Sequence, residues 1–429
     1  MTTEPMLDRR LRELMAELAA PGDQSAAIDH VISVTRALRP EPRWRALLKE
    51  RPMRTNSIVI AGSPPLRFGL VFAVIALIGL LAATIVVGAL VLRQPAVPPA
   101  YGPAGNGVLA YAESGDILTS DAAGNNVTTI TSGPAIDSRP LFSRDGTQIA
   151  FLRKESGTTR LVVANADGSD LHAVSPELYE DVHGFDWSPN GDRLVLLGDL
   201  LDAPFAGKMS ILVLAVDGAG IAEPIELGGV DPEGWVAWRP PSGDEIVFRG
   251  NPEFNDPTVA LYAVSPDGGT PRRLMEPVGP PEFDPAIDRP AISPDGRTVT
   301  FWSWGPNDAG VVDGWGRVLD LEAGTVRTST KWGGSVSPIS PDGRWVVGAG
   351  SGLTFESVDG VGEGFSIGPD LDVNGADLAF SPDGTKVLGR SNPDSGLDGW
   401  FVMDVESGEA TPLDVPRDAA VSWQRVALP

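Results

Sequence analysis

The chain has 429 residues with a formal charge of −24, and 42% of it is apolar, enough for a sizeable core. With no cysteine it has no disulfide, thiol nucleophile or zinc–thiolate centre, and three histidines leave a His-rich metal site improbable. Its 50 Gly and 39 Pro point to many tight turns, not to a helical protein.

The charge divides along the chain. Residues 1–67 carry 11 Lys and Arg against 8 Asp and Glu, a net +3. Residues 94–429 carry 21 against 49, a net −28. A domain so acidic repels phosphate backbones, so nucleic acid is excluded as its partner.

Residues 4–19 and 24–39 read as two short amphipathic helices. Leu7, Leu11, Leu14, Met15 and Leu18 share one face of the first, and Ile28, Val31, Ile32 and Leu38 one face of the second. Pro21-Gly22 separates them, Asp23 caps the second, and Pro40 and Pro42 end it. Two such helices bury little alone, so a cytoplasmic protein partner for residues 1–60 or the membrane surface completes them. As a docking segment they resemble the cytosolic part of transmembrane anti-sigma factors, which would make a sigma factor the partner. The zinc-binding His and Cys of many such factors are missing, since His30 has no cysteine beside it. The plainer alternative is an anchor on the inner leaflet, its basic stretch RWRALLKERPMR toward the headgroups.

Residues 68–92 form an uncharged stretch of 25 residues between Arg67 and Arg93. As a helix it would be about 38 Å long, more than a bilayer core of about 30 Å. It is too long and too far from the N-terminus for a cleaved signal peptide. Lys49, Arg51, Arg54 and Arg67 precede it, whereas Arg93 stands alone until Arg139. The expectation is a single-pass transmembrane helix in the cell membrane, N-terminus cytoplasmic and residues 94–429 extracytoplasmic. Residues 93–106 form a Pro-rich linker, semi-rigid and extended.

From residue 107 a repeat begins: an apolar strand, a Ser-x-Asp-Gly turn and a second strand. Its copies are PLFSRDGTQIAF (140–151), FDWSPNGDRLVLL (185–197), VAWRPPSGDEIVF (236–248), PAISPDGRTVTF (290–301), SPISPDGRWVVG (337–348) and LAFSPDGTKVLG (378–389). AVSWQRVA (420–427) is a first strand with no turn after it. Anchored on Ser143, Ser188, Arg239, Ser293, Ser340, Ser381 and Gln424, the steps are 45, 51, 54, 47, 41 and 43 residues. That period, with four short strands in each copy, predicts propeller blades.

A second series of turns lies at Gly124, Gly168, Gly218, Gly268, Gly324, Gly360 and Gly408. Each suits a hairpin needing positive φ between the third and fourth strands. The first of them precedes any complete first strand, so residues 107–131 supply strands two to four of one blade and 420–427 the missing first. The predicted fold class is all-β: a seven-bladed β-propeller over 107–429, closed by its N- and C-terminal strands, behind a transmembrane helix and a helical cytoplasmic segment.

The SPDG turn of Ser293–Gly296 and its copies, with the apolar strand that follows, resembles the TolB-type, WD40-like β-propeller repeats of bacterial proteins. The likeness covers about residues 105–429. It departs where Asn190 replaces Asp and where RPPSGD is a residue longer. The Gly-His and Trp-Asp pairs of true WD40 repeats are absent, and TolB itself has six blades. The resemblance implies fold and a binding role, not a ligand.

Strand parity puts the first-to-second and third-to-fourth turns on one face, where they are tight. The other face carries longer loops at 198–208, 250–257, 274–288, 302–315 and 390–399, and loops on a rigid scaffold carry recognition. WSWGPNDAGVVDGWG supplies the candidate ligand-binding residues Trp302, Trp304, Asn307, Asp308, Asp313 and Trp315. Aromatic platforms beside carboxylates or amides suit a carbohydrate or a cationic peptide, and the module's expected ligand is a protein, peptide or glycan; the alternative is that these tryptophans pack between blades. Asp145, Asp295, Asp342 and Asp383 read as turn residues rather than calcium ligands. DVNGAD (372–377) has some oxygen-ligand spacing without the bidentate Glu of an EF-hand. No nucleophile elbow and no phosphate-binding Gly loop occurs, so neither an enzyme nor a cofactor is expected. Carboxylates paired across blades would make a glycoside hydrolase the distant alternative.

Overall fold

A computed structural model describes residues 98–428 except 202–208, 219–222, 253–257, 277–286, 307–311, 330–337 and 393–396. The predicted cytoplasmic helices and membrane span lie outside the described residues. Every element in the described part is a strand, and seven blades follow one another, most of them four-stranded.

The first blade holds β1 (Gly105–Glu113), β2 (Asp116–Ser120) and β3 (Thr128–Thr129). The second holds β4 (Ile136–Phe142), β5 (Gln148–Glu155), β6 (Thr158–Asn165) and β7 (His172–Ala173). In the third, β8 (Leu178–Trp187), β9 (Arg193–Leu200) and β10 (Met209–Ala215) are joined by the bridge Leu212–Pro224 in place of a fourth strand. The fourth consists of β11 (Asp231–Trp238), β12 (Ile246–Asn251), β13 (Ala260–Val264) and β14 (Arg272–Arg273). The fifth consists of β15 (Asp288–Ile292), β16 (Thr298–Pro306), β17 (Val312–Asp320) and β18 (Thr325–Thr328).

The sixth blade is compressed. Ile339 bridges Val346, and β19 (Trp345–Ser357) folds back on itself, with the Val358 N–H donating to the Arg344 carbonyl at 2.9 Å. β20 (Phe365–Phe380) then serves two blades. Phe365–Ile367 pair with β19, and the stretch from Val373 pairs with β21 (Lys386–Ser391). β22 (Gly399–Asp404) and β23 (Ala410–Pro412) complete the seventh.

The last strand, β24 (Val421–Val426), pairs antiparallel with β1, so the first sheet runs β24-β1-β2-β3. β24 thus completes the blade that β1 begins. Closure removes the two sheet edges that an open array would expose.

The turns explain why these segments fold as they do. Ser143, Ser188, Ser293, Ser340 and Ser381 each begin a β-turn whose Gly N–H donates to the Ser carbonyl at 2.8–3.0 Å. Ser or Asp at the first position, Pro at the second and Gly at the fourth are the residues a type I turn favours. The Ser hydroxyls bind the turn twice. Ser381 Oγ donates to Asp383 Oδ1 at 2.6 Å and accepts the Lys386 N–H at 2.9 Å. The Asp383 carboxylate also takes the Thr385 N–H at 2.9 Å. These hydrogen bonds hold Asp145, Asp342 and Asp383 below the usual carboxylate range, against the burial that opposes them. The longer RPPSGD copy widens the turn by one residue, with Gly243 N–H donating to Arg239 O at 3.1 Å. All seven glycines of the second series have φ between +65° and +85°.

Because Ser381 is fully buried, Ser381→Ala strands the Lys386 N–H. The expected loss is about 1–3 kcal/mol, read as a lower urea midpoint at unchanged slope.

The core lies between blades. Leu194 and Leu196 of β9 pack toward the second blade, with Leu161, Val163 and Trp187. Val195 and Leu197 of the same strand pack toward the fourth, with Val236, Trp238 and Phe248. A strand covered on both faces reads as a continuous apolar run, which is why RLVLLGDL shows no alternation.

Candidate functional site

The described residues of the 302–315 stretch, 302–306 and 312–315, are strand and not loop. β16 and β17 extend the hairpin outward, pairing Trp302 with Gly316, Ser303 with Trp315, Trp304 with Gly314 and Gly305 with Asp313. The backbone hydrogen bonds of this Gly- and Trp-rich stretch are met by its own ladder, and the residues between the strands shrink to 307–311. Asn307 and Asp308 fall outside the described residues. Trp302 is only 8% exposed, and a Cβ on Gly314 would come within 2.1 Å of its indole. Trp302 therefore packs inside its blade and is no open platform. Asp377, within DVNGAD, lies on β20, where Arg390 Nε donates to it at 2.6 Å.

The described residues bring together a different site, along the axis of the ring. The innermost strands surround a cavity of about 630 Å³. Its outer ring is the residue that follows the anchor position in six of the seven blades. Pro240, Pro294, Pro341 and Pro382 line it in four blades, and Arg144 and Arg425 line it in the second and first. Deeper in, Arg139, Phe185, Asp186 and Trp235 line the wall.

Arg144 sits beside Asp186, donating through Nη2 to Oδ1 at 2.6 Å. The same carboxylate accepts the Trp187 N–H at 2.9 Å and the Trp238 N–H at 3.1 Å, so it ties three blades together. Arg425 faces carbonyls instead. Nε donates to Arg144 O at 3.1 Å, and Nη2 to Pro99 O at 2.9 Å and Gly102 O at 2.7 Å. Burial pushes the Arg425 guanidinium down to about 10, and the positive charge of Arg144 adds to the shift.

These contacts hold the end of the Pro-rich linker across the mouth. Ala100, Tyr101 and Gly102 line the cavity, and the Arg144 guanidinium lies 5.2 Å from the Tyr101 ring centroid. Ala104 N–H donates to Pro382 O at 2.8 Å. From Pro98 onward the linker packs against the propeller. Both ends of the propeller lie on the tight-turn face.

The Tyr101 hydroxyl is buried with no hydrogen-bond partner among the described residues. Burial pushes its pKa up to about 12, with the charges of Arg144 and Arg425 opposing and that of Asp186 assisting. The fold favours the protonated phenol. Its seating is intact below pH 10 and is lost as pH rises towards 12. Ultraviolet titration of the four tyrosines should show a late step that Tyr101→Phe removes.

Arg139 occupies the other end of the lining. It sits at a bulge in β4 between Ser138 and Leu141, with φ +53°. Its guanidinium donates to the Val182 carbonyl and lies 5.6 Å from the Phe185 ring centroid. No carboxylate among the described residues pairs with it. Burial holds its pKa below the ordinary arginine value.

None of these residues was a sequence candidate. The signal lay in the repeat column, where Arg144 and Arg425 interrupt a run of prolines. No group of His, Asp or Glu among the described residues is placed to hold a metal ion.

No family model matches the chain. An uncharacterised protein of Agrobacterium fabrum is 26% identical over 141 residues, covering 31% of this chain. The chain spans 46% of the length of that curated relative. Among solved structures, an oligogalacturonate lyase of Vibrio parahaemolyticus is similar with a TM-score of 0.52 at 15% identity, over 73% of this chain and 91% of its own. TolB of Acinetobacter baumannii gives 0.44 at 16%, over 74% and 66%. At such identities the likeness is one of fold: a β-propeller, here with seven blades.

Proposed function

We propose that this chain is a membrane-anchored, extracytoplasmic interaction module whose propeller binds a protein, peptide or glycan and performs no catalysis. The observation that carries the reading is the attachment of the linker. Arg425 fastens Pro99 and Gly102 to the tight-turn face, so whatever precedes Pro98 joins the ring there. The hairpin of β16 and β17 extends toward the opposite face, away from the residues that Arg425 fastens. A closed ring is a rigid support for such loops.

Three measurements test it. Protease added to intact spheroplasts should digest the propeller, and full protection would place it in the cytoplasm. A photo-crosslinker at Asn307 should trap a ligand that one at Ser169, on the tight-turn face, does not; trapping at Ser169 alone would reverse the face. If deletion of residues 1–60 left transcription and cytoplasmic partners unchanged, the segment would be an anchor and not a sigma-factor regulator.

A further inference from the structure

We propose that the axial channel is a binding site for a small organic carboxylate, with Arg139 as the cation that receives it. This goes beyond the loop-face reading and does not depend on it.

The argument begins with charge. Residues 94–429 carry a net −28, yet the charged side chains lining the channel are Arg139, Arg144, Arg425 and Asp186, a net +2 among the described residues. Two of those cations are already in use. Arg144 is paired with Asp186, and Arg425 is spent on linker carbonyls. Arg139 is left. A guanidinium offers five N–H donors, and Arg139 makes a single hydrogen bond among the described residues, to a neutral carbonyl. Taking a cation out of water without an opposite charge is unfavourable, and an anion in the channel offsets that cost.

Shape and surface select the anion further. A planar guanidinium fork matches a carboxylate with two parallel hydrogen bonds. Around it the wall is apolar: Phe185, Trp235, Pro290 and Pro338. A cavity of about 630 Å³ falls within the range of small-molecule sites. Tyr101 and the linker line the mouth on the tight-turn side. The acidic exterior repels polyanions, which leaves a singly charged acid with an apolar body as the fitting occupant.

The full-length protein in detergent is titrated with phenylpropionate and with phenylpropionamide, following tryptophan fluorescence, to which Trp235 contributes. The acid should saturate and the amide should not. Arg139→Gln keeps a donor for Val182 O and should weaken the acid about tenfold or more, as loss of a charged hydrogen-bond donor does. Arg139→Lys, retaining the charge without the fork, should fall between the two. Absence of saturation by the acid up to roughly 10 mM, the limit of any meaningful affinity here, overturns the proposal. Equal binding of acid and amide overturns it too, as does unchanged affinity in a folded Arg139→Gln. Should that variant fail to fold, the acid–amide comparison on the unaltered protein still decides.

Discussion

Removing residues 418–429 should abolish the folded, cooperative propeller. The deletion strips β24 from β1 along Gly105–Tyr111 and takes Trp423 out of the cluster with Leu109, Tyr111 and Trp400. It also cuts bonds to the next blade. Ser422 Oγ accepts the Phe142 N–H at 3.1 Å, and Gln424 Nε2 donates to Gly146 O at 2.8 Å. Loss of a buried Trp alone costs about 3–5 kcal/mol, and whole domains are stable by only about 5–15 kcal/mol. With the ladder gone as well, little stability remains. The opened β1 edge then offers unpaired backbone groups to other chains, so aggregates or edge-paired assemblies should form. Removing Leu428 and Pro429 alone is the control, since Leu428 is 58% exposed. An unchanged thermal midpoint in the longer deletion would mean that the ring is not closed by this strand.

That closure was legible because it rested on local chemistry repeated many times. The turn Ser-Pro-Asp-Gly states its own geometry, and a Gly with φ near +70° is needed wherever the second turn recurs. Seven turns of one kind and an unfinished strand at the end leave one arrangement. The hairpin of β16 and β17 was hidden for the opposite reason. Its letters, rich in Gly, Pro, Asn and Asp, are those of a loop, and only the pairing of Trp304 with Gly314 and Gly305 with Asp313 makes them strand. Cross-strand pairing is set by contacts far apart in sequence, and local propensity gives way to it.

The channel was less legible still. Arg144, Asp186 and Arg425 lie up to 281 residues apart and meet only because the blades close on an axis. Each looks like an incidental departure from its repeat. Aligning the copies would have shown Arg at two adjacent blades where Pro stands elsewhere, which is where the linker docks. Arg139 offers no such mark, because its place in the lining comes from a bulge whose φ of +53° no residue type there announces.

The carboxylate of Asp186 is where fold and site depend on one another. Asp186→Ala should cost about 3 kcal/mol, the low end for a buried pair, because Arg144 keeps part of its surface in water. The loss has two sources. Arg144 remains near Arg425 with its counter-charge gone, and the Trp238 N–H loses its acceptor between blades. Asp186→Asn should cost less, since an amide oxygen still accepts that N–H. In Arg144→Pro the second blade takes the proline found in its neighbours, and combining it with Asp186→Ala should restore about half of the loss by removing the stranded charge. Chemical denaturation of the four proteins measures the coupling. Strict additivity would show that the ion pair contributes nothing to the ring, and that Asp186 acts only through the backbone donors it accepts.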